Sequence, residues 1–199
     1  MMQALDWLYE KAVNGVPGMD SAEEMAEDYL KGDGKLVDKV NSLIRWQNTK
    51  AGASGFINNI GGLPLTPVTL PANITSVVYV QVRMIAAIAH MGGYDIRDDR
   101  VKTLVYVCLC GNAAKDLTKE IGIKVGTKVS EQAVKNISYQ LVVKINQLVG
   151  FRLITKYGQT GAINLLKAVP LLGGVIGATF DSTATNIVGN IARDTFISD

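Results

Sequence analysis

The segment from Ile74 to Met91 constrains the fold more than any other part of the sequence. It is apolar almost all the way round a helical projection and rich in β-branched residues, so a strand over Ser76–Val82 competes with a buried helix. The segment has about 18 residues, which is longer than a typical strand. It also stops at Gly92-Gly93, as a glycine-terminated helix does. We therefore predict a buried helix here.

Amphipathic periodicity predicts helices along most of the remaining chain, and no sheet-forming pattern repeats. Ser21 and Glu24 have the spacing of a capping box and mark the start of the second helix. In the first half of the chain, the expected helices cover 2–14, a stretch from Ser21 to Gly32, 35–50 with several further residues, 74–91, and a stretch from Asp98 or Asp99 through Cys110.

The second half is expected to hold a helix from Asn112, a helix started at Ser130, shorter pieces at 151–157 and 162–169, and a closing helix. The apolar face of the helix from Asn112 consists of Leu117, Ile121 and Val125. That of the helix from Ser130 consists of Val134, Ile137, Leu141, Ile145 and Leu148, and that of the closing helix of Ile176, Phe180, Ala184, Ile187 and Ile191.

Glycine and proline interrupt this helical pattern at two places, residues 60–72 and 170–174. The first break lies in a region without charge, since no charged residue occurs between Ala51 and Val82. With 199 residues, of which 48% are hydrophobic, the chain can bury one full core. We expect an all-α bundle of about eight to ten helices that forms a single domain over 1–199, with an acidic segment over 1–34.

Charge is unevenly distributed although the net charge is only +2. Residues 1–34 hold 2 basic and 8 acidic side chains, whereas residues 101–167 hold 10 basic and 3 acidic ones. This asymmetry either guides a charged partner or reflects two solvated faces. The acidic candidates for binding a protein partner are Asp20, Glu23, Glu24, Glu27 and Asp28, and the basic candidates for contact with an anionic membrane are Lys115, Lys119, Lys124 and Lys128.

The basic stretch 115–128 lacks the interleaved aromatic residues and arginines of a single-strand binder, so no nucleic-acid partner is expected. A lysine-rich amphipathic surface fits membrane electrostatics better than base readout. The alternative is that these lysines simply line a solvated face.

His90 is the only histidine, which excludes most hydrolase triads and all multi-histidine metal sites. It lies near Asp95, Asp98 and Asp99, so a carboxylate–histidine cluster is one interpretation. The alternative, which we favour, is a histidine placed against the C-terminal dipole of its helix. The three aspartates match no EF-hand spacing.

The remaining chemical motifs point to no reaction. Cys108 and Cys110 project roughly 200° apart on a helix, so they cannot bridge each other, and they lack the second pair of a zinc site. Residues 52–55 lack the spacing of a nucleophile elbow, and residues 32–35 lack that of a phosphate-binding loop. We therefore expect no enzyme activity, no metal and no cofactor.

The sequence also bears on location. The apolar stretch Ala168–Phe180 contains Pro170 and three glycines and is shorter than the roughly 20 residues that cross a bilayer. Asp6 and Glu10 stand where a secretory signal needs a basic start and an apolar run. A cytoplasmic location is expected, with peripheral contact at the inner membrane left open.

Three segments together resemble the EcsC protein family of bacteria. They are Gly61-Gly-Leu-Pro-Leu-Thr-Pro through Asn73, Val80-Gln-Val-Arg83 through Gly-Gly-Tyr-Asp95, and Val169-Pro-Leu-Leu-Gly-Gly through Asp181 with Gly189 and Ala192-Arg-Asp-Thr-Phe196. The resemblance covers residues from about 35 to the end, with the acidic first 34 residues as an addition. It implies a helical accessory or interaction protein without agreed catalytic residues. Some members are linked to an ABC-type exporter, and small stand-alone members occur beside secreted toxin genes.

Two functions follow as hypotheses. The first is a non-catalytic binding protein, in its sharpest form an immunity protein that neutralises a basic toxin domain through the acidic helix 20–31. The second is a peripheral membrane or transporter-accessory protein that uses the region 51–82 and the lysines at 115–128.

Overall fold

The computed structural model describes residues 2–52, 72–114, 117, 128–166 and 173–197, and within these ranges the chain is helical and forms no strand. The prediction of an all-α fold is confirmed. The helices are α1 (Met2–Asn14), α2 (Ala22–Leu30), α3 (Leu36–Gly52), α4 (Ala72–Met91), α5 (Asp99–Leu109), α6 (Glu131–Lys135), α7 (Tyr139–Leu166) and α8 (Gly173–Phe196), with a 3-10 turn over Gly111–Ala113 after α5.

Helix α4 is the centre of the bundle. It contacts α1, α2, α3, α5 and α8, and every residue from 78 to 89 is buried. A helix that is apolar on all sides is shielded from water only where other helices surround it. The sequence of α4 therefore requires a central position in the bundle. The prediction of a buried helix over 74–91 is confirmed.

The end of α4 is a Schellman motif. The backbone N–H of Tyr94 donates to Ala89 O at 3.1 Å, and that of Gly93 donates to His90 O at 2.9 Å. Gly93 takes a φ of +86°, a conformation that glycine adopts without steric cost. The paired glycines therefore end the helix as the sequence predicts.

Three helix starts follow the predicted caps. Ser21 and Glu24 form the full capping box at the start of α2, and the side chain of Asp98 accepts the N–H of Arg100 at the start of α5. Ser130 caps α6 by accepting the N–H of Ala133. In each case a side-chain oxygen satisfies an amide that the first helical turn leaves without a partner.

The predicted arrangement after Ser130 is wrong in two respects. The single helix expected from Ser130 to Leu148 is divided at residues 136–138, because Asn136 ends α6 and Ser138 starts the next helix by accepting the N–H of Leu141. Residues 151–157 and 162–166, expected in two separate pieces, belong instead to one helix, α7, and residues 167–169 lie outside the described residues. The three glycines within it, Gly150, Gly158 and Gly161, cost roughly 1 kcal/mol each relative to alanine, too little to break a long helix.

The helix predicted from Asn112 lies almost wholly outside the described residues, as does the break at 60–72. Of the break at 170–174, only Gly173 and Gly174 are described, and they form the start of α8.

Helices α3 and α8 pack closely. A Cβ atom at Gly189 would lie 2.9 Å from two side-chain carbons of Ile44, so glycine permits this approach. The fully buried positions of α8 include Thr185, Val188 and Ala192, while Ile187 and Ile191 from the predicted apolar face are half-buried. Buried Thr185 accepts a hydrogen bond from Gln81 of α4 at 3.1 Å, which explains how a polar residue is accommodated there.

Helix α1 is fastened to α5 by a mixed polar and aromatic cluster. Lys102 Nζ lies 2.7 Å from Asp6 Oδ1 and sits over the rings of Tyr9 and Tyr106. The Tyr106 hydroxyl donates to Asp6 at 2.9 Å, and the Tyr9 hydroxyl donates to Ile96 O at 2.7 Å. Burial raises the pKa of both tyrosines, so they remain neutral donors.

Candidate interaction surfaces

Helix α2 has two sharply different sides. Ala22, Met25 and Ala26 are buried against the bundle. Its four carboxylates occupy about 140° of the remaining circumference, since residues three and four apart share a helix face. They are Glu23, Glu24, Glu27 and Asp28, and together with exposed Asp20 they form what we call the acidic surface.

Glu24 has a structural role within this acidic surface. Its carboxylate accepts the backbone N–H of Ser21 at 2.8 Å, and its own N–H donates to Ser21 Oγ at 3.1 Å. The hydrogen bonds from Ser21 lower the pKa of Glu24. Glu24 is thus needed to start α2 as well as to supply charge.

The other three carboxylates on α2 form ion pairs at the protein surface. Glu23 lies 3.2 Å from Arg97, and Glu27 lies 3.1 Å from His90 Nε2. Asp28 pairs with Lys31 at 2.7 Å within the same stretch of chain. Exposed pairs of this kind contribute little, about 0–1 kcal/mol, so the carboxylates remain available to a stronger cationic partner.

The buried Arg83 holds the start of α2 against α4. Its Nη1 donates to the backbone carbonyl of Asp20 at 3.0 Å, while its Nε and the nearby Tyr79 hydroxyl have no hydrogen-bond partner. The guanidinium carbon lies 5.7 Å from the Tyr79 ring centroid. Burial lowers the pKa of Arg83, because the charge is poorly solvated there, whereas the nearby Tyr79 and Asp20 act in the opposite direction.

An open depression of about 480 Å³ lies next to the acidic surface. The loop between α1 and α2 lines it from Asn14 to Asp20, together with Glu24. Its ionisable groups are the carboxylates of Asp20 and Glu24. The depression therefore extends the acidic surface.

The structure pairs His90 with none of the aspartates that the sequence groups with it. Its side chain contacts Glu27, 63 residues earlier in the chain. Asp95 accepts the backbone N–H of Arg97, and Asp98 caps α5, so both carboxylates have local structural roles. Among the described residues, no three histidine, cysteine or acidic side chains come close enough together to hold a metal ion.

The two cysteines are buried and form no disulfide with each other, as the sequence predicts. Cys108 contacts the Thr195 hydroxyl of α8 at 3.8 Å. Burial raises the pKa of Cys108 to about 12, which suppresses the thiolate that a nucleophile requires.

The predicted basic site is only partly described. Lys115, Lys119 and Lys124 lie outside the described residues, and so does most of the charge-free region 51–82. Lys128 is described and is exposed just before α6.

Helix α7 carries exposed apolar side chains that the sequence analysis did not single out. Tyr139 is 80% exposed, Phe151 66% and Val143 38%. The periodicity correctly assigns Ile145 to the buried side, but it does not reveal that Tyr139, Val143 and Phe151 are exposed. None of the helices in the described ranges has both the length and the hydropathy that crossing a bilayer requires.

These features define an all-helical protein whose described residues present charged and apolar surfaces and form no metal cluster. The chain belongs to the EcsC protein family, since the sequence model of that family matches residues 2–197. The match includes the acidic first 34 residues, which the sequence analysis took to be an addition. No curated protein and no solved structure matches the chain.

Proposed function

We propose that the protein acts by binding another protein, without catalysis, and that the acidic surface on α2 is where the partner docks. The observation that carries this proposal is the division of α2 into a buried apolar side and an exposed side with four carboxylates. Because α2 is anchored by its cap and by Arg83, these charges are held on a fixed framework. A surface with an excess of carboxylates on an anchored helix favours association with an oppositely charged one.

The partner that fits this surface is a protein with a basic face. In its most specific form the proposal is an immunity-type role, in which the chain covers the basic face of a toxin domain and so neutralises it. The support for this form is the acidic surface together with family membership, since small stand-alone members of the family occur beside secreted toxin genes. On binding, cations of the toxin would take the places of Arg97, His90 and Lys31 beside the carboxylates. Little free energy is lost when these intramolecular ion pairs break, because they lie at the protein surface.

The test uses the whole chain as bait in a lysate of its native host. The variant Glu23→Gln/Glu27→Gln/Asp28→Asn removes three charges from the acidic surface but keeps the Glu24 cap. The control Asp38→Asn/Glu131→Gln/Asp194→Asn removes three exposed carboxylates elsewhere.

We expect one protein to be retained by wild type and by the control but lost with the α2 variant. Equal retention by both variants would refute α2 as the docking surface. Circular dichroism and urea unfolding of both variants establish that they are folded before the comparison is made.

The second candidate function is peripheral attachment to a membrane. The exposed apolar residues of α7 favour it, whereas the lysines and the region 51–82 that first suggested it lie mostly outside the described residues. The two functions use different helices, so each can be tested without disturbing the other.

A further inference from the structure

The most unusual surface feature of the described residues is a row of exposed side chains on the first half of α7. Tyr139, Val143, Gln147 and Phe151 are spaced four residues apart, so they lie next to one another along the helix. We call them the α7 row. Three of its four members are apolar or aromatic, and the row extends for about 18 Å at the rise of an α-helix.

The α7 row lies opposite the side by which α7 joins the bundle. Ile145, Val149 and Leu153 are buried, and α7 packs against α5. Solvent-exposed helix positions are normally polar, and an exposed tyrosine, valine and phenylalanine in one row cost hydration free energy unless something covers them.

The basic residues near the α7 row in the sequence indicate what kind of surface covers it. Between residues 121 and 180 the sequence contains seven basic residues and one acidic residue, Glu131. Lys135 and Lys144, near the start of the row, are both exposed. An apolar row with aromatic members and surrounding lysines is the composition of helices that lie in the interface of an anionic bilayer.

We propose that the α7 row is a membrane-docking surface, which enters the headgroup region of an anionic bilayer while Lys135 and Lys144 contact lipid phosphates. The helix lies along the membrane plane, and the acidic surface on α2 takes no part in the contact. This proposal rests on the second candidate function above, peripheral attachment to a membrane, and is independent of the protein-binding role.

The test measures sedimentation of the full chain with vesicles made of equal parts phosphatidylglycerol and phosphatidylcholine, and with vesicles of phosphatidylcholine alone. We expect binding to the first kind and not to the second, and release at high salt. Absence of binding to the anionic vesicles would overturn the proposal.

Two pairs of matched variants locate the surface. Tyr139→Ser/Val143→Ser should lower the partition coefficient about tenfold, because two side chains no longer leave water. Asn112→Ser/Asn186→Ser changes two exposed polar residues outside the α7 row and should leave the partition coefficient within about twofold of wild type. Equal effects of the two variants would contradict the assignment.

The charge contribution is tested in the same way. Lys135→Gln/Lys144→Gln should lower binding about tenfold, since each lysine near an anionic surface contributes to attachment. Lys31→Gln/Lys35→Gln removes the same charge from exposed positions near α2 and should have little effect. If both variants weaken binding equally, net charge rather than the α7 surface is responsible.

Two further measurements separate this proposal from its competitors. The α2 variant Glu23→Gln/Glu27→Gln/Asp28→Asn should bind vesicles at least as well as wild type. Size-exclusion chromatography over a range of concentrations should show no self-association that depends on Tyr139 and Val143. If it does show such association, the α7 row joins two copies of the chain and the membrane assignment is wrong.

Discussion

Replacement of Gly92 by alanine tests how the end of α4 packs against the end of α8. A Cβ atom at residue 92 would overlap the carbonyl oxygen of Phe196 and lie 3.1 Å from its carbonyl carbon. Both obstacles are backbone atoms, which cannot rotate away as a side chain can. The Phe196 ring is fully buried and packs edge-on against Tyr94, with ring centroids 5.2 Å apart. The methyl group must therefore push this end of α8 off the core.

The loss in free energy of unfolding depends on whether backbone or side-chain atoms must move. Overpacking a core typically costs about 1–3 kcal/mol, and a backbone obstacle places Gly92→Ala at the upper end, about 3 kcal/mol. At Gly189 the obstacles are side-chain carbons of Ile44 and Met84. Alanine also restores about 1 kcal/mol of helix propensity there, so Gly189→Ala should destabilise by only about 1 kcal/mol.

The assay is urea unfolding followed by far-ultraviolet circular dichroism. The control is Gly32→Ala, whose added Cβ would lie 3.5 Å from Tyr29 O, an ordinary contact at an exposed position. We expect the order of stability to be Gly32→Ala, Gly189→Ala, then Gly92→Ala. A Gly92→Ala protein as stable as the Gly32→Ala control would refute the close packing described here.

Four further predictions concern single side chains. Ser21→Ala should lower the free energy of unfolding by about 1 kcal/mol through loss of the cap. Glu24→Gln should reduce the loss of stability on acidification in a pH series of urea titrations. The folded pKa of Glu24 lies below its unfolded value, so its stabilisation is present above the unfolded pKa and is lost as pH falls through the folded one. Cys108 should not react with a thiol reagent until the protein unfolds, because burial raises its pKa to about 12; rapid labelling of the native protein would contradict this. Arg83→Ala should destabilise by about 2 kcal/mol and Arg83→Met by less, because methionine keeps the buried stem and removes the desolvated charge; equal losses on unfolding would refute that explanation.

Local signals in the sequence were sufficient for much of the fold. The Ser21–Glu24 box, the Asp98 cap and the glycines after α4 all act through hydrogen bonds within a few residues, so their spacing predicts them. The buried nature of α4 follows from apolar residues on all sides.

Features that depend on distant parts of the chain were not predictable in this way. The contact of His90 with Glu27 exists because α2 packs on α4, which no local pattern encodes. The continuity of α7 through its glycines could not be predicted either, because glycine occurs in loops and is also tolerated inside continuous helices.

The two candidate surfaces differ in the same way: the acidic surface can be predicted from the sequence, whereas the α7 row cannot. The charge of α2 can be read from the sequence, and its predicted carboxylates do share one exposed side of the helix. The α7 row could not be read, because Tyr139 and Phe151 are residues that more often pack into a core. Only the packing of α7 on α5 shows which side is left in solvent.

The central claim, that the acidic surface on α2 binds a basic protein, is tested most directly by association kinetics. The measurement is the rate constant for the chain binding the protein retained in the pull-down, at increasing salt, for wild type and for Glu23→Gln/Glu27→Gln/Asp28→Asn. The account predicts that the wild-type rate falls steeply with salt, that the variant is slower at low salt, and that the two converge at high salt. Identical rates and identical salt dependence for the two proteins would contradict it.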